Sequence, residues 1–94
     1  MIHVLLCTVT IEIPLANTLK EKRSALTRLL EMIRKKGHAS ACEAGFQNRI
    51  RSSVIAVAII GNTRGQCERS ANILENVIEQ FSQIQLLEAQ REWL

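Results

Sequence analysis

Apolar residues along this chain keep three different rhythms. From Ile2 to Ile13 (I-H-V-L-L-C-T-V-T-I-E-I) almost every position is apolar or β-branched, on both alternating faces. That is the signature of a central strand covered on at least one side. Pro14 cannot continue a ladder, so Pro14–Asn17 reads as a loop. From Leu19 the period lengthens: Leu19, Leu26, Leu29, Leu30 and Ile33 fall on one helical face. Thr18 followed by Glu21 supplies a capping-box start, and Gly37 is the residue type that most easily ends a helix. Residues 38–46 (H-A-S-A-C-E-A-G-F) form a weaker, more polar strand suited to a sheet edge, and 47–50 a turn. Ser52–Ile60 is a second buried strand, ending at Gly61-Asn62.

A second capping-box pattern, Thr63 and Gln66, opens another helix whose stripe is Cys67, Ala71, Leu74, Val77, Ile78 and Phe81. Residues 83–93 close the chain as a strand laced with glutamine and charge, fit for the other edge. The order is β-α-β-β-α-β, which predicts an α+β, ferredoxin-like βαββαβ sandwich over a single domain, residues 1–94. Right-handed crossovers put two helices on one face of a four-stranded antiparallel sheet, with the first and third strands central.

Composition narrows the chemistry. The chain has 94 residues, 12 Lys and Arg against 9 Glu, a net charge of +3, and neither Asp nor Tyr. An acidic partner is compatible with this balance, though a hard-metal site is poorly supplied with carboxylates. Cys7, Cys42 and Cys67 are odd in number and show no C-x-x-C, so reduced thiols in a cytoplasmic protein are expected. No apolar run reaches 18 residues, and Met1-Ile2-His3 begins a strand pattern rather than a charged signal region. No Cys–His or Ser–His pair is suggested by position, and the V-Q-G-V loop of acylphosphatases is missing. The central strands carry no aromatic pair of the kind RNA-recognition motifs stack on bases. The expectation is a protein that is not an enzyme and needs no metal or cofactor.

Charge is uneven along the chain. Asn17–Gly37 holds seven of the twelve bases, and Lys20, Lys22 and Arg23 crowd the first turns, where the helix dipole is already positive. The predicted topology brings that helix start to the same end as the turn carrying Gln47, Asn48, Arg49 and Arg51, making a candidate anion site. The plainer reading is that Lys22 and Arg23 flank the apolar stripe and cover the sheet edge with their stems. A second candidate is the opposite end, with Arg34-Lys35-Lys36, the G-N-T-R-G turn at Gly61–Gly65 and Arg91-Glu92. That turn lacks the ending of a P-loop. A third is the sheet face that the helices leave open, formed either by Leu5, Cys7, Val9 and Ile11 or by Val4, Leu6, Thr8 and Thr10.

Several segments carry a family likeness. T-L-K-E-K-R at 18–23, following Ile13-Pro14-Leu15-Ala16, resembles the S-L-K-E-K-R motif of the YlxP-like family, domain of unknown function 503. G-F-Q at 45–47, A-V-A-I-I-G-N at 56–62 and the closing E-A-Q-R-E-W-L continue the likeness along nearly the whole chain. The positions that match the motif are Lys20, Glu21, Lys22, Arg23, Gln47, Gly61 and Asn62. Thr18 replaces the usual Ser, and N-R-I-R stands where an aromatic-containing segment is common. What the resemblance implies is a small bacterial cytosolic protein linked to RNA or ribosome assembly.

Two functional expectations follow. One is a non-enzymatic, ribosome-associated protein that meets RNA through Lys20, Lys22, Arg23, Gln47, Arg49 and Arg51. The other is a homodimeric interaction module using the open apolar sheet face around Val4, Leu6 and Thr8.

Overall fold

The computed structural model describes residues 1–94 throughout. Its elements are β1 (His3–Glu12), α1 (Leu19–Gly37), β2 (Ser40–Gly45), β3 (Ser52–Gly61), α2 (Arg64–Gln80) and β4 (Gln85–Trp93). All strand pairs are antiparallel and the sheet order is β2-β3-β1-β4. The ferredoxin-like reading therefore holds, with β1 and β3 at the centre. Element boundaries differ from the sequence expectation by a residue or two, because paired backbone, not side-chain pattern, sets where a strand stops.

Strand alternation decides which face is dry. Leu5, Cys7, Val9 and Ile11 of β1, with Ile55, Val57 and Ile59 of β3, are buried beneath both helices. They meet Ala25, Leu26, Leu29 and Ile33 of α1 and Cys67, Ala71, Leu74 and Ile78 of α2 in one continuous core. Val4, Leu6, Thr8 and Thr10 point the other way and are only partly covered. Burial of the thiol pushes the Cys7 pKa up, against an opposing pull from Arg91, so its reactive thiolate form is disfavoured.

Helix termini account for several polar residues. Thr18 Oγ1 accepts from the Glu21 amide, and Thr63 Oγ1 from the Gln66 amide, each at 3.1 Å. Gln66 Oε1 reaches back to the Asn62 and Thr63 amides, completing the second capping box. The end of α1 departs from expectation. Gly37 is still helical and buried, and His38 takes the left-handed conformation with φ 49°. Gly37 instead lets the helices touch: a Cβ built there would collide with Leu74 Cδ2. Close packing against Leu74, not turn geometry, is what a glycine serves here.

Candidate nucleic-acid interface

Lys22 is the residue that organises the basic end. It lies on the inner flank of α1 and is 1% exposed, the largest fully buried side chain in the protein. Its ammonium donates to the Phe46 carbonyl at 2.7 Å and the Arg49 carbonyl at 2.6 Å. Its third partner is the Glu43 carboxylate, with Oε2 at 3.0 Å. Three N–H groups thus meet three acceptors, and no buried side-chain nitrogen or oxygen is left without a partner. Ser53, also fully buried, donates its hydroxyl to the same carboxylate at 2.6 Å.

This arrangement corrects one expectation. Lys22 cannot reach a nucleic acid, because its charge is spent inside the fold on the β2–β3 turn and Glu43. A sequence signal for this existed. Lys22 sits among the apolar positions of α1, and Glu43 sits at an inward position of β2, opposite Ile55. Opposite charges at two inward positions are better explained by each other than by solvent. Nothing in the linear order links Glu43 and Ser53 to residue 22 as its partners.

The pin determines where its neighbours stand. It holds the 46–49 turn against the start of α1, with Phe46 itself in the left-handed region at φ 59°. The Arg49 guanidinium lies over the Phe46 ring, 3.8 Å from its centroid. Arg51 donates to the Asn17 side chain at 3.2 Å, and its carbonyl accepts from the Ile13 amide, tying the turn's far side to the β1–α1 loop. Lys20, Arg23, Gln47, Arg49 and Arg51 are all exposed. The protein's two ion pairs are Lys22–Glu43 and Arg91–Glu75, so none of these four cations is paired with a carboxylate. One end of the sandwich thus carries four unneutralised bases from two segments of chain.

The opposite end is different. The Asn62 and Thr63 amides are already taken by Gln66, so the G-N-T-R-G turn is a helix cap with those two amides occupied. Arg34 donates to the Ala41 carbonyl, and Arg91 is divided between Glu75 and Asn72. Arg64 lies 4.9 Å from the Trp93 ring centroid, and Trp93 in turn takes His3 edge-on. No three His, Cys, Asp or Glu side chains gather as a metal site would need. No helix is long and apolar enough to cross a membrane.

Comparisons with known proteins agree with this architecture. Residues 4–91 match the model of a family described as a protein of unknown function, DUF503. The uncharacterized protein YlxP of Bacillus subtilis (strain 168) is 30% identical over 78 residues, which is 83% of this chain and 85% of that one. Among solved structures, a dimeric ferredoxin-like protein from an uncultured marine organism superposes with a TM-score of 0.57 at 10% identity. That match covers 98% of this chain and 95% of the other. An amidase of the hydantoinase/carbamoylase family from Burkholderia phymatum matches with a TM-score of 0.60 at 7% identity. It covers all of this chain but only 28% of the amidase, so the present fold spans little more than a quarter of that longer protein. Identities this low speak to the fold alone. Matched along nearly its whole length, and akin in sequence to YlxP, this chain belongs to the DUF503 family.

Proposed function

We propose that this protein is a non-catalytic RNA-binding accessory factor, acting in the cytoplasm on ribosomal RNA. Its contact surface is the end of the sandwich that carries Lys20, Arg23, Arg49 and Arg51. The observation behind this reading is the Lys22 pin, which gathers four exposed and unpaired bases at one end. Phosphate contacts dominate such a surface and confer little sequence preference. The Arg49–Phe46 pair adds a flat, exposed guanidinium on which an unstacked base of a single-stranded segment can lie. Gln47, at the tip of the same turn, adds a neutral donor and acceptor. Two further exposed bases of α1, Arg28 beside Gln83 and Lys35, add positive charge along the helix.

The test is fluorescence anisotropy with labelled single-stranded and ribosomal RNA fragments across a salt series. Four phosphate contacts give a slope of log affinity against log salt of about −3. Replacing Lys20, Arg23, Arg49 and Arg51 together by Gln abolishes most of that slope while circular dichroism stays unchanged. Absence of RNA binding by the unmodified protein at low salt, or an unaltered slope in the quadruple variant, refutes the proposal.

A further inference from the structure

The sheet face away from the helices has a pattern of its own. The strand register aligns its residues in rows: Ser40–Ala58–Leu6–Glu92, Cys42–Ala56–Thr8–Gln90, and Val54–Thr10–Glu88. The two inner strands supply the apolar middle, and Ile60 at one end is 67% exposed. No Lys or Arg stands on this face, although the protein as a whole is basic. Its carboxylates, Glu88 and Glu92, lie on edge strand β4 beside Glu12, while the β2 edge offers only neutral Ser40 and Cys42. Missing cations and present carboxylates disfavour a phosphate backbone on this face.

Side-chain size is also asymmetric. Between Val54 and Ile60, β3 presents the small Ala56 and Ala58 beside the bulky Leu6 of β1. A shallow, mostly apolar hollow of about 280 Å³ results, bordered by Leu6, Ser40, Cys42, Ala56 and Ala58. We infer that this face is covered by a second copy of the same chain, related by a two-fold axis running along the strands between β1 and β3. That operation lays β1 of each copy over β3 of the other, so Leu6 of one fills the Ala56–Ala58 hollow of its mate. It also lays β4 over β2, setting Glu92 against Ser40 and Gln90 against Cys42. No two carboxylate rows then face each other. The alternative two-fold, across the strands, would stack β4 on β4 and oppose its glutamates.

Area supports the same occupant. The strands lie about 4.8 Å apart, rise about 3.3 Å per residue and are 10, 6, 10 and 9 residues long in chain order, so they present roughly 550 Å² per copy. Two copies bury roughly 1,100 Å², which clears the roughly 1,000 Å² that a specific interface needs. The inference goes beyond RNA binding and leaves the basic tips of both copies uncovered, side by side at one end of the dimer.

Cys42 provides a built-in reporter, because it is the exposed thiol and lies on this face, whereas Cys7 and Cys67 are buried. The experiment combines sedimentation equilibrium with the rate at which a thiol-specific reagent modifies Cys42. At about 100 µM the expected mass is twice the 10.6 kDa of one chain, and Cys42 reacts roughly tenfold more slowly than in the dilute protein. Ala58→Arg places a charge in the hollow without touching the core; it is expected to sediment as a monomer with an unchanged circular dichroism spectrum. Ile73→Arg, on the exposed side of α2, is expected to leave the dimer intact. A monomer at that concentration overturns the inference. So does a dimer whose Cys42 reacts at the dilute rate, or one that persists in folded Ala58→Arg. The dilution dependence of Cys42 in the unmodified protein decides the matter even if Ala58→Arg fails to fold.

Discussion

Replacing Lys22 by Met is the most informative single perturbation of this fold. Methionine keeps the apolar stem and removes the ammonium, so packing along α1 changes little. What is lost is the partner of two carbonyls, Phe46 and Arg49, and of the Glu43 carboxylate. Breaking a fully buried ion pair by removing one member costs about 3–5 kcal/mol. Glu43 keeps 22% of its side chain in solvent and retains the Ser53 hydroxyl, which moves the expected loss to the lower end, about 3 kcal/mol. Against a total stability of about 5–15 kcal/mol this is a large share. With an m-value of about 1–1.5 kcal/mol/M, the urea midpoint falls by about 2–3 M. Pairing Lys22→Met with Glu43→Leu should recover part of the loss, since no orphaned carboxylate remains. High salt should change little of this, because the Lys22 ammonium is buried. A Lys22→Met midpoint within experimental error of the unmodified protein would show that the pin contributes nothing to stability.

Three other outcomes follow from local geometry. Gly37→Ala drives a methyl into Leu74 and should lower stability by about 1–3 kcal/mol in the same urea titration, despite the better helix propensity of alanine. His38→Gly should raise the melting temperature, reflecting about 1 kcal/mol gained where a non-glycine residue now holds a positive φ. Burial raises the Cys7 pKa, so the unfolded chain releases this proton first as pH rises. Stability from that thiol is complete below the ordinary thiol pKa and declines above it. Cys7→Ala, measured by denaturation across alkaline pH, should flatten that decline.

Periodicity made the fold legible because each element obeyed one rule. The double-sided apolar run at 2–13 could only be central, and the polar stretches at 38–46 and 83–93 could only be edges. The two faces of the first strand were indistinguishable in sequence, since Val4 and Leu6 are as apolar as Leu5 and Cys7. Only the helices, by settling on one side, separated them. At the basic end, the grouping of helix start and turn followed from topology alone. The role of Lys22 did not, because an ammonium that serves a distant carboxylate looks in sequence like any other cation in a basic run. At Gly37 likewise, a helix stop and a close helix contact leave the same letter in the sequence.

The strut between α1 and the 46–49 turn has a consequence for affinity. A loop at the tip of a sandwich ordinarily loses conformational freedom when it engages a ligand, and that loss subtracts from binding. Here the backbone at Phe46 and Arg49 is already fastened to a helix, so its ordering occurs during folding. Whatever docks at the tip meets a rigid template, and loosening the strut should weaken binding through entropy while every outward-facing group stays in place.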